Sequence, residues 1–409
     1  MVRLFFLFSV PEVAKQKISF RFYKRLDMKI LYHHRTRAED AQGIHVQEMV
    51  NAFRELGHEV EIASMISNGQ NQSPGPNNSM ISRFAANVPP LAYELLEILY
   101  NFYGFLLLTK KVLKFRPHLI YERYALYNVA GILVSKLFRI PLLLEVNAPL
   151  AFEKKKYGEL ALPTFAKTFE RWICSHSYKT IVVSTPLKKL LQDIGVPYEH
   201  MAVISNGINP QIFNPDIDGK AVRKRFGLDG KIVLGFVGWF REWHGLEDLL
   251  QAYVKYHMKE KNIHLLLVGD GPAYKDLEAY ARENGILGKG VTLTGSVARK
   301  DIPSYIAAFD LALQPDVTDY ASPIKLFEYM AMGKGVIAPN KDNIKEIVGD
   351  AYKALFKAGD WDNMARIILE YAQSKEKTIE LGERARNIIH ENQYLWLENA
   401  RRTLGLLNS

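Results

Sequence analysis

The stretch QPDVTDYASPIKLFEYMAMGKGVIAPN, residues Gln314–Asn340, sets how the rest of the chain is interpreted. Ser322 suits the cap of a helix N-terminus, and Pro323 suits the first helical position. Gly333 suits the position just past a helix end. Between these signals an apolar stripe recurs at helical spacing, formed by Ile324, Phe327, Met330 and Ala331. The pattern predicts a capped amphipathic helix that ends in a tight turn.

Two charged residues stand on the polar face of this predicted helix. Lys325 and Glu328 are three positions apart and therefore lie on the same side. A lysine in the first turn makes a helix N-terminus a favourable anion site, and a carboxylate further along can accept hydrogen bonds from the paired hydroxyls of a ribose. From the helix alone, a surface ion pair and a ligand site both stay open.

Composition bounds the class of protein. The chain has 409 residues, 48% of them apolar and 24% charged, which predicts two or three soluble globular domains at about 150 residues each. Its net charge of +9 favours anionic partners such as nucleotide phosphates, a lipid leaflet or nucleic acid. A single cysteine, Cys174, excludes an intramolecular disulfide, makes a reducing compartment the simplest account, and is interpreted as core filler.

The N-terminal segment is predicted to lie outside the fold. Its apolar run, Leu4–Val10, is short, basic residues follow it, and no run of 18 apolar residues occurs anywhere in the chain. MKILYHH, starting at Met28, reads as the first strand of a domain. We therefore expect residues 1–27 to be an extension, and a membrane-spanning helix is not expected.

From Met28 the chain alternates strands with helices. A strand at Met28–Tyr32, a polar loop ending at Gly43, a helix at about 44–56 and a strand at His58–Ala63 form a βαβ unit. About seven strands are expected up to residue 205. Ligands of such sheets bind beyond the carboxyl ends of the strands. The loop after the first strand is therefore placed at a cleft, with a solvated basic loop as the alternative: His33, His34, Arg35, Arg37 and Gly43. Glu145 and Asn147, at the carboxyl end of a later strand, are placed at the rim of the same cleft.

Two segments of the first half stand out by composition. Residues 67–82 are rich in Asn, Gly, Pro and Ser and are interpreted as a flexible loop. Residues 91–116 are strongly apolar and aromatic and end in a basic cluster. This second segment suits docking to an anionic membrane surface. A buried helix pair, broken at Gly104 and carrying a basic end, is the alternative interpretation.

The alternation restarts after a polar linker at 213–220. A strand at Ile232–Val237 runs into a glycine-bearing turn at Gly238, and the next strand, His264–Val268, runs into Gly269-Asp270-Gly271-Pro272. Each turn lets phosphates approach backbone N–H groups. The tail, 363–407, is predicted to be largely helical. The second half is thus predicted to be another α/β domain with a phosphate-binding edge.

At this point the chain resembles the family-4 glycosyltransferases of GT-B architecture. The resemblance covers nearly everything from Met28 onward and rests on segments in a fixed order: ILYHHRTRAEDAQGIHVQEM, LIYERY, LEVNAP, VISNGINPQIFNP, FVGWFREWHGLEDLL, LLLVGDGP and SPIKLFEYMAMGKGVIAP. It implies an α/β fold of two facing Rossmann-like, doubly wound domains with a cleft between them. The implied divisions are 28–210 for the acceptor side, 220–385 for the nucleotide-sugar side, and 386–409 for a helix that packs back on the first domain.

The resemblance also implies roles for residues. Glu328 matches the second glutamate of the family's E-x7-E motif, which holds the ribose, whereas Tyr320 stands where the first glutamate is expected. In the glycine loop Trp239 and His244 stand at the positions of the family's Arg and Lys. Asn147 replaces a common histidine. The implied catalytic residues are Arg241, Lys325, Glu328 and Asn147. The implied donor-binding residues are Gly43, Gly238, Trp239, His244, Gly269, Gly271, Ser296, Val297, Tyr320, Ser322, Pro323 and Ile324. The implied acceptor-side residues are His33, Arg35, Arg123 and Glu145.

The implied reaction is retaining transfer of a hexosyl unit from a nucleotide-diphosphate sugar to a hydroxyl of a glycan, lipid or lipid-linked acceptor. This suits polysaccharide, glycolipid or cell-envelope synthesis in the cytoplasm, with peripheral contact at the inner face of the plasma membrane through 91–116. No cofactor is expected, and no metal is expected either, because the D-x-D patterns at Asp216 and Asp360 lie in turn or helix-start contexts where Asp is common.

Other functions fit the sequence less well. A dinucleotide-dependent oxidoreductase would need a full G-x-G-x-x-G after the first strand, which is missing. A nucleic-acid-binding protein is suggested only by charge, since no recognition signature is present, and no nucleic-acid partner is expected. A nucleotide-sugar epimerase of the same fold is disfavoured by SPIKLFEYMA.

Overall fold

A computed structural model describes residues 27–36, 41–64 and 89–408. The predictions for residues 1–26, for Arg37 and for the loop at 67–82 lie outside the described residues. Within those ranges the strands are β1 Lys29–His34, β2 Glu59–Ser64, β3 Leu119–Arg123, β4 Leu142–Val146, β5 Lys179–Val182, β6 Met201–Val203, β7 Ile232–Val237, β8 Ile263–Val268, β9 Val291–Leu293, β10 Leu311–Leu313, β11 Gly335–Pro339 and β12 Leu355–Phe356. The α-helices are α1 Ala41–Glu55, α2 Pro90–Phe115, α3 Ala130–Phe138, α4 Leu150–Lys156, α5 Pro163–His176, α6 Thr185–Asp193, α7 Lys220–Phe226, α8 Leu246–Lys255, α9 Tyr274–Glu283, α10 Ile302–Ala307, α11 Ile324–Ala331, α12 Asp342–Val348, α13 Trp361–Ala372, α14 Lys375–Glu391 and α15 Trp396–Gly405.

The strands form two parallel sheets, each flanked by helices. The first has the order β2-β1-β3-β4-β5-β6 and the second β12-β11-β10-β7-β8-β9. The predicted α/β fold with two Rossmann-like domains is therefore confirmed. The described part of the first domain contributes six strands to its sheet rather than about seven. The direction in which successive strands are added reverses at β1 in the first sheet and at β7 in the second. In α/β sheets ligands bind beside such reversal points, beyond the carboxyl ends of the strands.

The C-terminal helix returns to the first domain. Trp396, Ala400 and Leu407 are buried in the same cluster as Met28 and Val46, which belong to the first domain. The indole of Trp396 meets the imidazole of His45 edge-on, with ring centroids 4.8 Å apart. The chain thus ties its last helix to α1, across the divide between the sheets.

Helix α2 differs from one of its two predicted interpretations. It is one continuous helix of 26 residues, and Gly104 is a buried position inside it rather than a break. A helix-interior glycine costs only about 1 kcal/mol, which the packing of the helix can offset. Nine large apolar side chains of α2 are exposed, so the interpretation as a buried helix pair is wrong.

The boundaries of α11 and α1 correct two further predictions. Helix α11 begins at Ile324, and Pro323 precedes it without a side-chain cap. The hydroxyl of Ser322 instead accepts a hydrogen bond from the backbone N–H of Asn206, at 3.0 Å, in the first domain. Gly333 has φ +67°, as expected just past a helix end. Gly43 lies in the first turn of α1, not in the loop before it.

Candidate active site between the two sheets

Helix α11 carries a buried carboxylate at the edge of the second sheet. The side chain of Glu328 is almost completely buried, and its carboxylate lies 2.5 Å from the guanidinium of Arg299. That guanidinium also stacks over the ring of Phe213, 4.8 Å from its centroid. The interpretation of Lys325 and Glu328 as a surface ion pair is therefore wrong, because Glu328 is buried and pairs with Arg299.

Lys325 faces a different set of groups. Its Nζ lies 3.4 Å from Nε2 of His244 and 4.1 Å from the centroid of the Phe236 ring. Burial lowers the pKa of Lys325 to about 7, although the nearby Glu328 carboxylate acts in the opposite direction. Burial, Lys325 and Arg241 together lower the pKa of His244 to about 2, so its imidazole is neutral at physiological pH. Of these two side chains, only Lys325 is therefore protonated to a large extent near pH 7, and its ammonium can neutralise an anion that enters here.

Two interlocking glycine turns form the wall beside Lys325. Gly238 follows β7 and Gly269 follows β8, with φ of +151° and +142°. A Cβ on Gly238 would lie 2.8 Å from Nζ of Lys325, and one on Gly269 would lie 1.9 Å from the carbonyl oxygen of Gly238. Gly271 has φ +148°, and a Cβ on it would lie 2.5 Å from the backbone nitrogen of Phe240. Only glycine fits these positions, which bring bare backbone next to a cation.

The remaining residues of the glycine loop surround this wall. The guanidinium of Arg241 lies 5.2 Å from the centroid of the Trp243 ring. The backbone N–H of Arg241 donates a hydrogen bond to Nδ1 of His244 at 3.4 Å. Trp239 is exposed. Ser296 and Val297 follow β9, and the hydroxyl of Ser296 lies 3.5 Å from the Asp270 carboxylate. All these residues therefore occupy the carboxyl edge of the second sheet.

The first domain contributes a buried carboxylate at the end of β4. Glu145 accepts hydrogen bonds from the hydroxyl of Tyr121 and from Arg123, each at 2.7 Å, and from the side-chain amide of Asn147. His45 lies 3.4 Å away. Burial acts to raise the pKa of Glu145, but His45, Arg123 and these hydrogen bonds outweigh it and lower the pKa. Glu145 is thus a fixed anion that orients Arg123 and Asn147.

The predicted acceptor-side residues of β1 lie deeper than expected. His33 is fully buried, and its Nδ1 lies 2.5 Å from the buried carboxylate of Glu122. Arg35 pairs with Glu97 of α2 at 3.2 Å and stacks over the ring of Tyr100 at 4.7 Å. The alternative of a solvated basic loop is wrong for His33 and His34, because both imidazoles are buried at the end of the sheet.

Tyr320 joins the two domains instead of facing open solvent. It is 8% exposed and packs into the apolar core of the first domain. Its hydroxyl donates a hydrogen bond to Glu153 of α4, and its carbonyl accepts one from the Ser184 hydroxyl at 2.7 Å. Ile324 likewise packs against first-domain residues. The loop that enters α11 is therefore an interdomain contact.

Sequence reasoning missed three charged residues near this cleft. Arg299 pairs with Glu328, and Glu153 receives the Tyr320 hydroxyl. Glu48 of α1 lies near both Arg299 and Glu328; burial raises its pKa, and Arg299 opposes that shift. Arg299 stands four residues after Gly295, at the carboxyl end of β9, and that position was the available signal. The partners of Glu48 and Glu153 are far away in sequence.

The described part of the chain contains no group of three or more His, Cys, Asp or Glu side chains suited to hold a metal ion. One carboxylate of each D-x-D pattern has a local backbone partner, and Asp362 pairs with Lys255 at 2.7 Å. Asp218 accepts a hydrogen bond from the backbone N–H of Lys220 at 2.8 Å, and Asp360 caps α13 by accepting from Asn363 at 2.8 Å.

Comparison with known proteins gives consistent matches across the chain. The family described as Glycosyltransferase Family 4 matches residues 42–212, and that described as Glycosyl transferases group 1 matches residues 219–388. An uncharacterized glycosyltransferase of Methanocaldococcus jannaschii is 26% identical over 277 residues, covering 66% of this chain and 69% of the relative. The alpha-monoglucosyldiacylglycerol synthase of Streptococcus pneumoniae is 26% identical over 218 residues, covering 52% of this chain and 48% of the relative.

A solved structure repeats the whole fold. Anabaena HepE in complex with UDP superposes with a TM-score of 0.72 at 18% identity, covering 93% of this chain and 100% of that one. At this identity the similarity shows the fold alone. The two family matches together span both domains. The chain therefore belongs to the family-4 glycosyltransferases of GT-B architecture.

Proposed function

We propose that the protein transfers a hexosyl unit from a nucleotide-diphosphate sugar to a hydroxyl acceptor with retention of anomeric configuration, without a metal ion or other cofactor. The observation that carries the proposal is the pairing of a cationic pocket with a buried carboxylate on one helix. Lys325, in the first turn of α11, lies against His244 and the Gly238 turn, and Arg241 belongs to the same loop as His244. Glu328 lies one turn further along α11.

The donor would bind along α11. The diphosphate meets the Lys325 ammonium, the backbone of the glycine turns and the helix N-terminus, all of which favour negative charge. The carboxylate of Glu328 accepts hydrogen bonds from the ribose hydroxyls once Arg299 releases an oxygen. As the glycosidic bond to phosphate breaks, negative charge grows on the departing diphosphate, and these fixed groups stabilise it most in the transition state.

The acceptor would approach from the first domain. Asn147 and Arg123, both held by Glu145, can hydrogen-bond hydroxyls of the transferred sugar or of the acceptor. Asn147 cannot act as an acid or base near neutral pH. The departing phosphate oxygen, which gains negative charge as its bond to the sugar breaks, therefore takes the acceptor proton as the new glycosidic bond forms. Contacts such as Tyr320 with Glu153 close the domains and limit hydrolysis of the donor.

The acceptor class and the location follow from the same face of the molecule. One relative is named for a diacylglycerol glycolipid product, and α2 exposes an apolar face next to the acceptor side. We place the reaction in glycolipid, polysaccharide or lipid-linked glycan synthesis, in the cytoplasm at the inner face of the plasma membrane. Residues 91–116 supply the peripheral membrane contact.

A panel of nucleotide sugars tests the proposal. UDP- and GDP-linked glucose, galactose, mannose and N-acetylglucosamine are scored by thermal shift and by slow hydrolysis, with the Glu328→Gln variant as control. We expect one donor to raise the melting temperature of the native protein and to be hydrolysed with release of the α-anomer, and Glu328→Gln to abolish both effects. Equal responses of the native protein and the variant would contradict the assigned donor site.

A further inference from the structure

One face of α2 is apolar and open along most of the helix. Among the described residues, the exposed large side chains of this helix include Phe102 at 74% and Leu99 at 69%. At about 100° per residue they fall, with the exception of Tyr93, within an arc of about 140° of the helix circumference. The members of this face, called here the α2 face, are Leu91, Leu95, Leu96, Leu99, Phe102, Tyr103, Leu106 and Leu113.

The opposite side of α2 is tied to the first domain by polar contacts. The buried carboxylate of Glu94 accepts hydrogen bonds from the Tyr127 hydroxyl at 2.8 Å and from the backbone N–H of Ala161 at 2.5 Å. Asn101 accepts from the backbone N–H of Val129 at 2.8 Å, just before α3. By length and composition α2 could cross a bilayer. With its other side fixed on the domain, it can only lie along an interface with the α2 face outward.

The charges around the α2 face are basic. Lys110 and Lys114 are exposed on its last two turns. Acidic residues of this region are neutralised locally: Glu97 pairs with Arg35, and Glu61 pairs with Lys111. An apolar strip bordered by two exposed lysines, neither of which has an acidic partner among the described residues, matches a lipid surface that carries anionic headgroups. A soluble protein rarely leaves so large a continuous apolar patch without a binding role.

The side of α2 that is turned away from the α2 face contacts the acceptor side of the cleft. Arg35, at the end of β1, pairs with Glu97 and stacks on Tyr100, both on α2. Near the start of the helix Lys154 lies over the ring of Tyr93 at 5.5 Å, and α4, which carries Lys154, follows the Asn147 loop. A bilayer that contacted the α2 face would therefore lie about one helix diameter, roughly 10 Å, from these acceptor-side residues.

We infer that the α2 face docks on a membrane containing anionic lipids and that the acceptor is carried by that membrane. The inference rests on the proposed function for the acceptor, but the docking step does not depend on catalysis. A soluble acceptor would need no apolar surface bordering the acceptor side, whereas an acceptor anchored in lipid must be met at the bilayer.

Vesicle sedimentation of the full chain tests the docking. The probes are vesicles of phosphatidylcholine alone and of phosphatidylcholine with phosphatidylglycerol. We expect binding to the second kind only. The Leu99→Ser/Phe102→Ser variant should lose at least about tenfold in affinity, from lost apolar burial. Lys110→Gln/Lys114→Gln should also lose roughly tenfold or more, at about fivefold per lysine.

Matched controls and a second readout keep the outcomes distinct. Ile379→Ser and Lys375→Gln change an exposed apolar and an exposed basic residue of α14 and should leave vesicle binding unchanged. Donor hydrolysis in detergent-free solution should be equal in all variants, and its absence in the native protein would count against the proposed function alone. Binding to both vesicle kinds, or to neither, would overturn the inference. So would a lipid-free dimer that dissociates in Leu99→Ser/Phe102→Ser, because the face would then serve a second copy of the chain.

Discussion

The guanidinium of Arg299 lies 2.5 Å from one carboxylate oxygen of Glu328, and it thereby competes for one of the two oxygens to which ribose hydroxyls would donate. Glu328 is buried, while Arg299 is partly exposed and rests on Phe213. Arg299 is also close enough to Glu48 of α1 to oppose the upward shift of its pKa. Glu48 is thus a second carboxylate, on the other domain, within the electrostatic range of Arg299.

Replacing Arg299 should therefore tighten nucleotide binding in the free enzyme. In Arg299→Ala the ribose no longer competes with a charge-assisted hydrogen bond, and we expect the Kd for the nucleoside diphosphate of the active donor to fall by roughly three- to tenfold. Isothermal titration calorimetry measures this, with the exposed neighbour Lys300→Ala as control. Weaker binding by Arg299→Ala would show that Arg299 holds Glu328 in place for the ribose instead of competing with it.

Glu328→Ala and Lys325→Ala should each lower kcat/KM by at least about 100-fold. The first removes the ribose ligand and the second removes the cation that stabilises the departing diphosphate, and losses of this size are typical for such groups. Circular dichroism should show both variants folded. Lys289→Ala and Glu283→Ala, which change exposed residues on the same domain, serve as controls. Near-normal turnover in both test variants would contradict the donor-site assignment.

The parts of the fold that the sequence predicted are those that depend on local patterns. The strand–turn–helix alternation and the glycine turns at Gly238 and Gly269 follow from short-range chemistry. The prediction that Ser322 caps the helix was wrong, because its hydroxyl accepts a hydrogen bond from the backbone N–H of Asn206, more than a hundred residues away. The sequence also left open whether the apolar side of α2 is buried or exposed. An apolar helix has the same composition whether protein or lipid covers it, and only the placement of Glu94 and Asn101 decides which side is outward.

Activity should depend on pH through Lys325. Burial lowers its pKa to about 7, so the ammonium that neutralises the diphosphate predominates below this pH and is lost as pH rises through it. We expect kcat/KM for the donor to fall by up to about tenfold per pH unit above 7. In Lys325→Arg the cation stays charged at all these pH values. Activity should therefore be lower, but the fall in kcat/KM above pH 7 should disappear. If kcat/KM of Lys325→Arg still falls above pH 7, the titration of another group causes the fall.

Restoring the family's glutamate at position 320 should harm the protein. Tyr320 is buried against the first domain, and its hydroxyl donates to Glu153; burial and that carboxylate raise its pKa, so it stays a neutral donor. Tyr320→Phe removes one hydrogen bond and should cost about 1 kcal/mol of stability. Tyr320→Glu places a second carboxylate beside Glu153 and should cost more, because like charges are then brought together in a poorly solvated contact.

A double-mutant cycle separates this repulsion from other effects of Tyr320→Glu. Combining it with Glu153→Gln removes one of the two charges, and we expect the melting temperature to recover in part, giving a coupling energy of about 1 kcal/mol or more. Donor turnover by Tyr320→Glu should not exceed that of the native protein, since the hydroxyl of Tyr320 faces Glu153 of α4. Higher turnover with an unchanged melting temperature would mean that the loop can turn this side chain toward the sugar, as the family's glutamate motif implies.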